Sequence, residues 1–150
     1  MQRILSRAVV RHVMSLAWAI GCLMSATDAK AYQVQQVGRF NIAFHVTPDD
    51  QPIANQPSEV WIQIRQGDAI VPSSRCQDCR LVLLAPDGQP LNQFDGEELQ
   101  PIGSTVYEGA FGTTMIFGAP GTFLVQFEGT IDRQPIDLLF AIPVQAEQRD

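Results

Sequence analysis

The sequence predicts an all-β fold, an antiparallel immunoglobulin-like sandwich of about seven short strands, and three observations carry the prediction. Apolar residues recur with a period of two rather than 3.6. The runs with that period are separated by clusters of Pro, Gly, Asp and Asn. Beyond residue 31 no stretch carries a convincing helical stripe. With 150 residues, 45% of them hydrophobic and 17% charged, the chain has the length of one domain. It is also too apolar for general disorder.

The elements follow in order. Met1 to His12 holds Arg3, Arg7 and Arg11 and no acid, and the apolar run Val13 to Met24 comes next. A charged segment followed by an apolar one, and then by the small-residue site Ala29-Lys30-Ala31, reads as a secretory signal peptide over residues 1–31. The apolar run falls short of the roughly 20 residues a membrane span needs. The expected mature chain begins at Tyr32 and resides in the periplasm or outside the cell. Two other readings stay open, an uncleaved anchor and lipidation at Cys22 within the imperfect lipobox Ala19-Ile20-Gly21-Cys22. Membrane contact is expected only in those two cases.

Residues 32–145 make up the expected sandwich. Phe40, Ile42, Phe44 and Val46 alternate with Asn41, Ala43, His45 and Thr47, which places the large apolar groups on one face of a strand and His45 on the other. Pro48 to Pro57 is turn chemistry, with prolines fixing φ and Asp and Asn satisfying nearby backbone. Val60, Ile62 and Ile64 mark a second strand. Arg80 to Ala85 is apolar on both faces, as a central strand would be, and Pro86-Asp87-Gly88 stops it. Residues 89–103 read as a polar loop with the acidic cluster Asp95, Glu97 and Glu98. Thr105 to Phe111 and Thr113 to Phe117 read as strand, then a turn at Gly118 to Gly121, then a strand through Phe123, Val125 and Phe127. Ile136 to Val144 is the last strand, and Pro143 assigns it to an edge or a bulge because proline donates no ladder bond. Residues 146–150 are a polar tail. A barrel is the alternative architecture.

Charge narrows the partners. Without residues 1–31 the chain keeps six basic against fifteen acidic residues, a net charge of −9, and no lysine. Nucleic acid is therefore not an expected partner, since phosphate backbones call for a clustered basic face. An envelope or periplasmic protein is the expected one.

Few residues are equipped for chemistry. In an oxidising compartment Cys76 and Cys79 pair by default as a disulfide, and a redox-active pair, a metal site and free thiols are the alternatives. Cys76, Cys79, His45 and Met115 together form a soft ligand set suited to Cu(I), although nothing in their spacing unites them. By default no cofactor is expected. Trp61 lies opposite the apolar face of its strand, so it is either covered by a loop or joins Tyr107 or Phe111 in an aromatic patch that contacts a partner. Catalytic signatures are absent, with no G-x-S-x-G elbow, no glycine-rich phosphate loop and a single histidine after residue 31. A non-enzymatic module is expected.

Three stretches, Thr47 to Ile64 (TPDDQPIANQPSEVWIQI), Leu81 to Leu91 (LVLLAPDGQPL) and Ile116 to Glu128 (IFGAPGTFLVQFE), resemble the small exported β-sandwich domains of the YtkA-like and CopC-like type. The pattern is also similar to exported proteins of photosynthetic bacteria that place cysteines just before the middle strand. The resemblance implies the sandwich. CopC-like relatives are associated with copper held by several histidines, a set this sequence lacks, so no ligand residue follows from the likeness.

Overall fold

In the computed structural model of the chain, residues 33–102 and 107–148 are described; the expected signal peptide, Cys22 and residues 149–150 lie outside them. The strands are β1 Gln33–Val37, β2 Phe40–Val46, β3 Pro57–Gln66, β4 Ala69–Val71, β5 Cys76–Leu84, β6 Pro90–Phe94, β7 Gln100–Pro101, β8 Phe111–Ile116, β9 Gly121–Ile131 and β10 Gln134–Val144. A 3-10 turn at Ser73–Arg75 precedes β5. All named pairings are antiparallel and form two sheets. One has the order β1-β2-β3-β8-β7, with β4 beside β3, and the other β10-β9-β5-β6.

The sheets meet face to face through the residues the alternation singled out. Phe40, Ile42 and Phe44 from β2 and Val60, Ile62 and Ile64 from β3 are fully buried against Leu81, Val125, Phe127, Phe140 and Ile142 from the other sheet. Aromatic rings join the two layers. Phe44 stacks on Phe140 at 4.5 Å between centroids, and Phe111 meets Phe127 at 6.2 Å. Stacking of this kind adds about 0.5–1.5 kcal/mol per pair beyond area burial.

Strand β5 lies between β9 and β6, the central place its apolar sequence predicts, and Pro143 lies on the edge strand β10. Three expectations need correction. The stretch expected as a loop at 89–103 contains β6 and β7; β6 is exposed nearly throughout, so it has no buried face to write a period of two into the sequence. Strand β5 starts at Cys76 rather than Arg80. Of the strand expected at Thr105 to Phe111, residues 105 and 106 lie outside the described residues, and Tyr107 to Ala110 form a turn closed by Ala110 N–H donating to the Tyr107 carbonyl at 3.0 Å.

One side of the sandwich is closed by side chains. Gln33 and Gln35 of β1 donate their amides to the Ala141 and Leu139 carbonyls of β10, at 2.6 and 2.7 Å.

Candidate functional site

Two residues three apart on a regular strand point to opposite faces, yet Cys76 and Cys79 both belong to β5 and are joined by a disulfide, with their Cα atoms 5.7 Å apart. A bulge makes this geometry available. Gln77 pairs with Thr130 and Arg80 with Glu128, so Asp78 and Cys79 together oppose the single residue Gly129. The extra residue resets the alternation and brings both sulfurs to one side. Asp78 supplies the kink at φ +52°, a left-handed conformation that a short polar side chain tolerates.

Gly129 is the other half of the arrangement. Its φ is +152°, and a Cβ there would sit 2.3 Å from Cys79 Sγ and 2.9 Å from Cys79 Cα. Only a residue without a side chain lets the buried sulfur approach. Cys79 is 6% exposed, whereas Cys76 is half-buried against the core.

Beside the disulfide lies a cleft of about 570 Å³ bounded by described residues. Leu99, Phe111 and Cys79 give it apolar walls, and Asp78, Arg80 and Asp95 give it charged ones. The turn after β6 places Asp95 and Leu99, since the Asp95 carbonyl accepts from the Glu98 and Leu99 N–H groups at 2.8 and 3.1 Å. Across the outer face of β5, Arg80 Nε donates to Glu128 at 2.6 Å, fixing its guanidinium.

A separate cluster occupies the outer face of the other sheet. His45 and Trp61 are direct cross-strand partners whose rings stack at 4.1 Å and 16°, and Tyr107 covers both, 4.3 Å from Trp61 and 5.3 Å from His45. Gln63 donates its amide to the Glu108 carbonyl at 2.9 Å and so ties the covering turn to β3. Below the stack, Trp61 lies over Gly112 of β8, where a Cβ would meet the Val60 carbonyl at 1.9 Å. Asp50 faces His45 Nδ1 at 3.3 Å and accepts the Val46 N–H at 2.9 Å. Desolvation beneath the rings holds the imidazole below its ordinary pKa, against the upward pull of Asp50.

The sequence-predicted residues are thus sorted into two places. Cys76 and Cys79 come together. Met115 points into the core from β8 and His45 faces outward from β2, so the proposed soft ligand set is not assembled: two of its sulfurs are bonded to each other and the remaining groups sit on opposite faces of the other sheet. Among the described residues no three His, Cys, Asp or Glu side chains are grouped to hold a metal ion. The exposed aromatic patch is also corrected. Trp61 and Tyr107 touch, but Trp61 is 3% exposed because the turn at Tyr107 folds over it, and Phe111 points inward to the cleft and Phe127. Gly129 was missed although a lone glycine inside a strand signals a bulge or a close approach.

No helix of the described residues is long and apolar enough to cross a membrane. No family model and no curated protein matches the chain. Among solved structures, an engineered protein with a 1.98 Å crystal structure is similar over 71% of this chain and 20% of that one, at 19% identity and a TM-score of 0.41. This chain therefore corresponds to about a fifth of that protein's length.

Proposed function

We propose that the chain is an exported, non-enzymatic module that acts by protein contact in the cell envelope, and that its partner enters the cleft beside the disulfide. The observation that carries this reading is the cleft itself. Its volume of about 570 Å³ suits a few inserted side chains, and it combines an apolar patch of Leu99, Phe111 and Cys79 with the polar and charged groups of Ser73, Ser74, Asp78, Arg80, Gln93 and Asp95, which can orient a bound segment. The disulfide and bulge hold one wall rigid, which lowers the ordering cost of binding. Export is supported by the disulfide, which persists in oxidising compartments, and by the charged-then-apolar sequence at residues 1–31. A relation to the YtkA-like and CopC-like domains belongs to the same proposal and draws its support from the sandwich.

A photo-reactive amino acid at Gln93, on the cleft rim, tests this in cells that make the protein, with Leu139 on the far edge strand as the control. One discrete adduct from Gln93 and none from Leu139 is the expected result. No adduct, or the same adduct from both positions, overturns the reading. In the same cells the intact mass is expected to begin at Tyr32.

A second reading, thiol-redox exchange, is favoured by one observation: both cysteines border the cleft, and Cys76 is the more exposed of the two. A partner thiolate attacking Cys76 Sγ would form a mixed disulfide there and release Cys79 as the thiolate. Copper handling by the same pair would require prior reduction. Equilibration with glutathione across the envelope potential separates the readings, since a structural pair stays oxidised and an exchanging pair cycles.

A further inference from the structure

Three turns that are remote in sequence converge at one end of the sandwich. The β1–β2 turn brings Arg39, the 3-10 turn brings Ser74 and Arg75, and the two-residue β9–β10 turn brings Asp132 and Arg133, all lining an open groove of about 900 Å³. Asp132 organises two of the guanidiniums. Its carboxylate accepts from Arg75 Nε at 3.0 Å, again from Arg75 Nη2, and from Arg39 Nη2 at 2.9 Å. Arg133 occupies a left-handed position at φ +69°, a place glycine fills at no steric cost, and presents a third guanidinium.

The charge distribution gives the cluster meaning. The described residues contain five arginines and fourteen acidic residues, and three of the five arginines line this one groove with a single carboxylate among them. The remainder is a local surplus of two positive charges on an otherwise acidic surface. The Arg75 hydrogen bonds, aided by Arg39, hold the Asp132 carboxyl below the usual carboxylate range, so the internal anion stays ionised.

We infer that this groove binds the carboxylates of a short acidic peptide segment. The guanidinium fork matches a carboxylate in bidentate geometry, and the contact between Arg75 and Asp132 already demonstrates that pairing within the groove. The groove is open rather than enclosed, as an extended segment requires. A wide polyanion such as an anionic bilayer would meet the acidic surface on every side and be repelled. A short segment instead feels the field within a Debye length of about 8 Å. The site adjoins the disulfide cleft at Ser74, yet this inference stands independently of the contact reading.

The test is an amide and arginine-Nε NMR titration of the folded protein with a hexaglutamate peptide, with hexaserine as control. Hexaglutamate is expected to shift Arg39, Ser74, Arg75, Gln77, Arg133 and Gln134, more at low than at physiological ionic strength, while hexaserine shifts none of them. Arg133→Gln is expected to weaken binding about two- to fivefold and Arg39→Gln/Arg133→Gln about tenfold, the scale of one and two exposed ion pairs. Arg65→Gln leaves binding unchanged. If the double variant fails to fold, Arg133→Gln alone decides. Shifts of equal size at Arg65 and Arg80, full binding by Arg133→Gln, or no shifts at all would overturn the inference. Arginine-dependent flotation with phosphatidylserine vesicles in place of peptide binding would also overturn it.

Discussion

Removing the disulfide gives the sharpest measure of how β5 is built. Closing a four-residue loop restricts the unfolded chain by roughly 6 cal/mol/K, which is about 2 kcal/mol at 25 °C. Reduction deletes no atoms, so reduced protein is expected to lose about that amount. Cys76→Ala/Cys79→Ala also empties the space of one well-buried sulfur, 6% exposed at Cys79, and a group of that size adds about 0.8 kcal/mol. The double variant is therefore expected to lose about 3 kcal/mol, or roughly 10 °C in Tm for a domain of this size. Urea titrations of the oxidised, reduced and double-alanine proteins read the three values, and an unchanged m shows that the same surface unfolds in each. A reduced protein as stable as the oxidised one would mean that the bulge forms without the bond. A loss above about 5 kcal/mol would mean that the bond organises far more than its own loop. Either result refutes the reasoning.

Three further outcomes follow from the packing. Gly129→Ala is expected to cost about 2–4 kcal/mol in the same urea assay, through strain at its positive φ and collision with Cys79, and less in a Cys79→Ala background where the sulfur is gone. Phe140→Ala is expected to cost about 3–5 kcal/mol, because the ring is fully buried and stacked on Phe44, whereas the exposed neighbour Leu139→Ala changes stability by less than about 0.5 kcal/mol. The His45 pKa is lower in the folded than in the unfolded protein, so the unfolded chain takes up the proton first. Its contribution is fully favourable above the unfolded value near 6.5 and is lost as pH falls from there through the folded value. Asp50→Asn removes the group that pulls this pKa up and is expected to enlarge the acid loss, and His45→Gln to abolish it, both read as urea midpoints between pH 8 and pH 5.

Particular elements explain what the sequence made legible. β2, β3, β9 and β10 each bury one face, so their apolar residues alternate in plain view, and β5 announced its central place through the apolar run Leu81 to Leu84 in its second half. Strands β1 and β6 bury little, and a strand at a sheet edge with no buried face leaves no apolar period in its sequence. The cysteine spacing was visible, but the face each sulfur takes depends on a bulge whose cause, Gly129, sits on the neighbouring strand. Trp61 could be placed on the outer face of its strand, yet its cover arrives from a turn at Tyr107. The groove was wholly illegible, because Arg39, Arg75 and Arg133 come from three turns and only the closed sandwich makes them neighbours.

The two glutamine amides of β1 have a consequence beyond their hydrogen bonds. Strand β10 is eleven residues long and outermost in its sheet, the kind of border on which a second chain can lay down a strand and begin a fibre. Gln33 and Gln35 occupy two of the carbonyls such a chain would need. The first strand is therefore a guard as well as a structural element, and a chain trimmed past Val37 would keep most of its core while turning that border into a template for its own copies.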